Sequence, residues 1–267
     1  MFSLKNKTAI ITGASGVLGG AMAKGLADAG ANVILVARRK DELAKLADAI
    51  KQSGGKASFH EADVLNETQL VDARKAVLDS FGRIDIIVNA AGGNQPGAVI
   101  PPQKSFFDLD MTAFNNVVSL NLQGTVLPTQ IFAEPFKAQK EGVVINISSM
   151  SAFRPLTRVI GYSAAKAAVS NFTQWLAVEF AKKYGDGIRV NAIAPGFFLT
   201  EQNRSLLTNP DGTLTERGNM IIERTPFGRF GKPDELNGTL VWLCSDASKF
   251  VTGTVIPVDG GFNAAAL

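Results

Sequence analysis

Tyr162 and Lys166 stand one helical turn apart in the run Tyr-Ser-Ala-Ala-Lys-Ala-Ala, and the pairing of phenol with amine points to proton transfer. The alanines favour helix, and the i,i+4 spacing sets both groups on one face. A free tyrosine, with a pKa of about 10, is a poor acid–base group near neutrality. A neighbouring ammonium favours the phenolate and brings that value toward the useful range. Ser148-Ser149 close an apolar run, and Ser149 lies thirteen positions before Tyr162. Each residue alone would more often be structural; a strand-end serine, a helix-start tyrosine and a lysine one turn on make a constellation.

A second cluster suits a phosphate ligand. The apolar run 8–12 leads into Thr12-Gly13-Ala14-Ser15-Gly16-Val17-Leu18-Gly19 and then into a helical pattern. Glycines there let the chain turn tightly, bring backbone N–H groups to a pyrophosphate and allow close helix packing. The helix N-terminus adds partial positive charge and unpaired donors. The next strand ends in Arg38-Arg39, with no carboxylate before Asp41. A carboxylate at that strand end would take the ribose hydroxyls of NAD, whereas Arg38 suits the 2′-phosphate of NADP. The expected cofactor is NADP(H), with NAD(H) as the alternative. Asp63, closing the third strand, can hydrogen-bond adenine, and the small residues of Asn89-Ala90-Ala91-Gly92 suit a cofactor pressed against backbone.

These residues need elements to hold them. Apolar β-branched runs at 8–12, 32–36, 57–61, 84–89, 143–148, 189–194 and 254–258 read as strands. Helical patterns fall at 19–29, 41–53, 67–81, 111–137 and 162–184. Such alternation predicts an α/β fold, a doubly wound seven-stranded parallel sheet flanked by helices, with residues 1–267 forming a single domain. Two stretches break the rhythm, a loop at 92–109 and an insertion at 196–232, both beyond carboxyl ends of strands, where ligands sit in such sheets.

Composition narrows the function classes. With 27 basic and 24 acidic residues interspersed, the chain lacks the basic stripe of a nucleic-acid binder. No run of about 18 apolar residues predicts a membrane span. The N-terminal Met-Phe-Ser-Leu-Lys-Asn-Lys lacks the pattern of a signal peptide, and the single cysteine, Cys244, fits a reducing compartment, so the expected location is cytoplasmic. One cysteine and one histidine, His60, cannot make a zinc site of the usual type within a subunit. His60, Cys244, Trp175 and Trp242 read as packing residues.

With these motifs in hand, the sequence resembles the short-chain dehydrogenase/reductase family along nearly its whole length. The matching elements are Thr12–Gly19, Asp63, Asn89–Gly92, Asn121 in Ser-Leu-Asn-Leu-Gln-Gly, Ser149, Tyr162 with Lys166, Pro195-Gly196 with Thr200, and the closing Val-Thr-Gly-Thr-Val-Ile-Pro-Val-Asp-Gly-Gly. One departure stands out: Val17 occupies the place of the family's middle glycine, and Gly16 lies one position earlier. The resemblance implies a Rossmann-type fold and a tetrad in which Ser149 orients the substrate oxygen and Tyr162 exchanges its proton. Lys166 would lower the tyrosine and hold the nicotinamide ribose, and Asn121 would hold a relay water. It implies further that Gly13, Ser15, Gly16, Leu18, Gly19, Arg38, Arg39, Asp63, Val64, Asn89, Ala90, Ala91, Gly92, Tyr162, Lys166, Pro195, Gly196, Phe198 and Thr200 contact the cofactor. A homotetramer is also implied.

The segments Thr200–Leu207, 209–218 and 223–236, with Gly92–Ala98, resemble the D-mannonate oxidoreductase branch, which interconverts D-fructuronate and D-mannonate and lies close to the gluconate 5-dehydrogenases. The expected substrate is a sugar acid, whose hydroxyls and carboxylate need amides, hydroxyls and one cation. Asn94, Gln95, Ser149, Gln202 and Asn203 are the candidates for the hydroxyls and keto oxygen, and Arg154 or Arg204 for the carboxylate. The alternatives are a gluconate 5-dehydrogenase or 3-oxoacyl-type ketoreductase on the same tetrad and, from another class, a catalytically silent NADP-binding regulator.

Overall fold

The strands β1 (Thr8–Thr12), β2 (Asn32–Ala37), β3 (Lys56–Glu61), β4 (Ile86–Asn89), β5 (Gly142–Ile147), β6 (Ile188–Pro195) and β7 (Val255–Val258) form one sheet. They run parallel in the order β3-β2-β1-β4-β5-β6-β7, as the alternation predicts. The computed structural model describes residues 1–265, excepting the side chains of Glu201, Gln202 and Ser205. The helices are α1 (Val17–Asp28), α2 (Lys40–Gln52), α3 (Glu67–Phe81), α4 (Met111–Val118), α5 (Gly124–Phe132), α6 (Phe136–Gln139), α7 (Ile160–Tyr184), α8 (Glu201–Leu207), α9 (Glu216–Glu223) and α10 (Asn237–Cys244).

Period-two alternation sends neighbouring strand residues to opposite faces. Ile11 and Leu35 pack under Met22 and Leu26 of α1, Leu43 of α2 and Leu240 of α10. Ile10 and Ile34 pack under Leu70 of α3, Phe132 of α5 and Leu176 of α7. Both faces are covered, which is why these strands read as continuous apolar runs. Each fully buried Ile or Leu contributes about 1.5–3 kcal/mol.

Strand order reverses direction between β1 and β4, opening a crevice at their carboxyl ends. There Thr12 is paired with Asn89 and Asn89 with Asn146, so Gly13, Ala90 and the residues after Ile147 emerge side by side.

Three regions differ from the sequence expectation. The helix expected over 111–137 is broken into α4, a π turn at Ser119–Gln123, α5 and α6. Pro128 explains much of this: it has no N–H for the Gly124 carbonyl, so the helical ladder is disturbed one turn upstream. The insertion 196–232 is not a bare loop, since it holds α8 and α9. Trp175 is not a packing residue; it is 59% exposed on α7, whereas Trp242 does pack on the core and Cys244 is buried in it. Among the described residues no helix is long and apolar enough to cross a membrane.

Candidate active site

The glycine turn is shaped by contacts that exclude a side chain. Gly13 has φ +66°, and a Cβ there would lie 2.6 Å from the Ala91 nitrogen. A Cβ on Gly19 would lie 2.3 Å from the Gly13 carbonyl oxygen. Gly16 is the N-cap of α1 and has extended backbone, with no side chain capping the helix. The first N–H groups of α1 thus lack side-chain partners and suit an anion. Val17 is the first helical residue and points partly to solvent, so the departure from the family glycine pattern carries no backbone strain. Leu18 follows it, half-buried.

Arg39 closes over this turn, its Nη2 donating to the Ser15 carbonyl at 2.5 Å and its Nε to Ser15 Oγ at 3.4 Å. Arg38 lies 3.8 Å from the Asp63 carboxylate. Arg38, Ala62, Asp63 and Gln69 line a pocket of about 320 Å³ at the ends of β2 and β3. The structure thus brings Gly13, Ser15, Gly16, Gly19, Arg38, Arg39 and Asp63 to one rim. Val64 follows buried, with the α5 glycine Gly124 packed on it.

The candidate proton-transfer group sits beyond the ends of β4 and β5. Lys166 is buried on α7, and its Nζ donates to the Ile147 carbonyl, the last residue of β5, at 2.7 Å. It lies 5.6 Å from the centre of the Tyr162 ring. Burial pulls the Lys166 amine down to about 8. Tyr162 keeps an exposed edge, but its hydroxyl is deep enough that burial pushes it up, against a smaller lowering from a hydrogen bond with Ser149. Lys166 is not among the groups that lower Tyr162 here: its own amine, pulled down to about 8, has lost its charge by the pH at which the phenol ionises. Ser149 Oγ also accepts from Ser151 N at 3.2 Å, which fixes the turn after β5.

Asn121 belongs to the π turn and is wholly buried. Its Nδ2 donates to the Gly93 and Val117 carbonyls at 2.7 and 2.8 Å, and its Oδ1 accepts from Gly93 N at 3.1 Å. A Cβ on Gly92 would lie 2.6 Å from Asn121 Oδ1 and 3.2 Å from Lys166 Nζ. Asn121, Gly92 and Lys166 therefore meet, though they are far apart in sequence. The elements that place the tetrad are β4, β5, the π turn and the N-terminal end of α7.

Other sequence candidates lie differently. The Asn89 amide points into the helix layer and donates to Thr129 Oγ1 and Asn146 Oδ1 at 2.7 and 2.8 Å; only its backbone reaches the crevice. Ala90 and Ala91 do line it, and Ala91 N donates to Thr12 Oγ1 at 3.2 Å, a strand-end role for Thr12 that the sequence reading missed. Pro195 ends β6; Gly196 abuts Asp259, Phe198 is buried and bridges to Gly231, and Thr200 caps α8. Asn203 does not face a ligand with its amide: Oδ1 accepts from Thr200 N and Nδ2 donates to the Phe198 carbonyl, both at 2.8 Å. Arg154 is drawn away too, its Nη2 donating to the Asn263 carbonyl and its Nε to Asn263 Oδ1 at 3.4 Å. Gln95 donates to the Ala113 carbonyl at 2.9 Å, tying the loop to α4, and Asn94 Oδ1 accepts from Gln95 N at 3.0 Å. Arg204 is exposed on α8, and the Gln202 side chain lies outside the described residues.

Two arginines were not singled out by the sequence reading. Arg158, in the same stretch as Arg154, has a left-handed backbone with φ 74°, a conformation that costs a non-glycine residue of order 1–3 kcal/mol. Arg217 on α9 is half-buried, and burial first, then the charge of Arg158, hold its guanidinium below the ordinary value. Position between Ser149 and Tyr162 could have flagged Arg158; nothing in the sequence marks Arg217.

The family model described as enoyl-(acyl carrier protein) reductase matches residues 13–263. An uncharacterized oxidoreductase of Bacillus subtilis, UxuB, is 47% identical over 271 residues, covering 98% of this chain and 96% of the relative. A crystal structure of a candidate D-mannonate oxidoreductase from Haemophilus influenzae, with bound NAD, superposes with a TM-score of 0.92 at 45% identity, covering 99% of this chain and 97% of that one. A gluconate 5-dehydrogenase from Burkholderia cenocepacia, in complex with NADP and tartrate, superposes with a TM-score of 0.88 at 32% identity, covering 99% and 98%. The chain belongs to the short-chain dehydrogenase/reductase family, as an oxidoreductase acting on alcohol and keto groups.

Proposed function

We propose that the protein reversibly reduces the keto group of a sugar acid, D-fructuronate to D-mannonate first among them, with NADP(H) favoured and Tyr162 as the acid–base group. The observation that carries the substrate reading is the 45% identity, over 99% of the chain, to the Haemophilus candidate D-mannonate oxidoreductase. The insertion 196–232 serves as the substrate-binding segment of a single domain.

The residues present fit a dinucleotide. The α1 N-terminus without a side-chain cap and the Arg38–Arg39 pair supply donors and positive charge for a pyrophosphate and a 2′-phosphate. Gly13, Ser15, Gly16, Leu18, Gly19, Asp63, Val64 and Asn89–Gly92 would hold the adenosine side, and Tyr162, Lys166, Pro195, Gly196, Phe198 and Thr200 the nicotinamide side. Because the Haemophilus relative carries NAD, NAD(H) stays the alternative.

When bound, the nicotinamide supplies hydride to the carbonyl carbon. Ser149 orients the carbonyl oxygen, and Tyr162 delivers a proton to it. The raised value of the Tyr162 hydroxyl keeps it protonated and ready to donate at neutral pH. Lys166, with an amine near 8, carries the charge that stabilises the phenolate left behind. Asn121 continues the proton relay through a water and holds Gly93 beside it.

Oxidation of NADPH and NADH with D-fructuronate, D-tagaturonate, 5-keto-D-gluconate and acetoacetyl compounds tests the reading. D-fructuronate with NADPH should give the highest kcat/KM. A best rate on 5-keto-D-gluconate would support the second reading, a gluconate 5-dehydrogenase, which the Burkholderia likeness favours. No turnover of any keto sugar acid would overturn both. A homotetramer in the cytoplasm completes the proposal; Val126, Phe172, Trp175 and Phe180 line a groove of about 370 Å³ on the outer face of α5 and α7, an apolar surface suited to a second copy.

A further inference from the structure

We propose that Ser148 and Ser170 are positioning residues for the proton-transfer pair, a role that rests on the acid–base reading above: their two hydroxyls lock the main chain of Lys166 to the end of β5 and so set where its amine reaches. Ser148 is the first residue after β5 and is 1% exposed. Its backbone N–H donates to the Ile193 carbonyl of β6 at 2.8 Å, so the sheet fixes its place. Ser170 lies one turn beyond Lys166 on α7. The two Oγ atoms are 2.6 Å apart, and each reaches the Lys166 carbonyl, Ser148 at 3.3 Å and Ser170 at 3.2 Å. Two hydroxyl protons serve these three oxygens. Whichever serine donates to the other, the acceptor's own proton remains for the Lys166 carbonyl, and no oxygen of the three is left without a partner.

Three consecutive residues thereby grip three points of α7. The Ile147 carbonyl accepts from Lys166 Nζ at 2.7 Å, Ser148 holds the Lys166 main chain, and Ser149 hydrogen-bonds Tyr162. A second rung lies two residues back on the same face of β5, where Asn146 Nδ2 donates to Thr173 Oγ1 at 2.9 Å. The neighbouring buried positions of α7, Val169, Leu176 and Ala177, are apolar. Apolar packing would hold the helix on the sheet yet tolerate a small slide. A buried hydroxyl pair is satisfied at one register only, because a buried donor left unpaired is costly. Slipping by one residue moves a helix about 1.5 Å along its axis, enough to take Lys166 Nζ from the Ile147 carbonyl and from its place beside Tyr162.

The test titrates the Lys166 amine by NMR of the full chain carrying isotope-labelled lysine, with the signal assigned through K166R. It also follows kcat against pH with NADPH and the best of the keto acids above. In S148A and S170A the helix is freed from the strand end, and water reaches the amine. Its titration should move up from about 8 toward the ordinary lysine value, and kcat should fall roughly tenfold or more. S170T keeps the hydroxyl and should restore both. I50A empties a buried site on α2, the helix that packs on the edge strand β3; it should lower the thermal midpoint without moving the titration. A Lys166 titration unmoved in S148A and S170A, or moved as far in I50A, would overturn the positioning role and leave Tyr162 and Lys166 as the acid–base pair. A shifted titration together with full turnover in Y162F would support the positioning and overturn the acid–base reading. A wild-type amine with the ordinary titration would also overturn the positioning, because nothing then holds it out of water.

Discussion

The wall formed by β4, β5 and α7 and the insertion after β6 both lie beyond the carboxyl ends of the sheet, and they are built by opposite means. In the wall the chemical groups are buried: Asn121 is 0% and Lys166 3% exposed. Their hydrogen bonds reach across the fold, from Lys166 to Ile147 and from Asn121 to Gly93. In the insertion Phe227 is 71% exposed, and the side-chain bonds are short-range, such as Thr200 to Asn203 and Thr213 to Asp211. Proton and hydride transfer tolerate little misplacement, so the wall is held by the core. Substrate choice needs only a few groups aimed into a cleft, and a segment folded on its own hydrogen bonds can change sequence without disturbing the sheet.

The largest effect should come from the wall. Y162F should lower kcat by about 10²–10⁴, with the NADPH dissociation constant little changed; steady-state rates and fluorescence titration decide it. Retained turnover would remove the wall from the chemistry. Next comes G92A, whose added methyl would press on Asn121 and Lys166. A displacement near 1 Å there should cost on the order of 10² in kcat, measurable without any change in substrate chemistry. R38A should shift preference from NADPH toward NADH by roughly tenfold, read as the ratio of the two kcat/KM values. An unchanged ratio would leave Arg38 to its Asp63 pairing alone.

The pH dependence is subtler. Below about 8 Lys166 is an ammonium, and above it the charge is lost, so carbonyl reduction should decline on an alkaline limb centred there. Stability should move the other way. The folded value is lowered from 10.5 to about 8, so the unfolded chain binds more protons between them and this group's contribution rises with pH across that window. The smallest effect belongs to the insertion: N203A should cost about 1 kcal/mol of local helix stability, seen as faster amide exchange in α8 with kcat nearly intact. A loss of kcat comparable to that in Y162F would erase the contrast between the two regions.

Much of this was legible in the sequence because the signals are local. Tyr162 and Lys166 are one turn apart, Gly13 and Gly19 flank a strand-to-helix turn, and the strands are apolar on both faces. The break in the helix over 111–137 was harder to read, since the backbone effect of Pro128 is upstream of the proline itself. Asn89 and Asn203 look like ligand-facing amides in a linear reading. One completes a buried network with Thr129 and Asn146, and the other caps a helix. A polar side chain in a one-dimensional pattern does not declare whether its partner is a ligand or the protein's own backbone.

By itself the sequence determined the alternation of strand and helix, the glycine turn and the residues of the proposed acid–base pair, because each is set by spacing within a few residues. Tertiary structure alone decided that Lys166 is anchored to Ile147, that Asn121 closes on Gly93, and that the Arg154 guanidinium is taken by Asn263. Those choices depend on the order in which parallel strands line up and on which loops their carboxyl ends bring together. Residues 19 or 28 positions apart meet in those bonds, and only the packed sheet fixes such a distance.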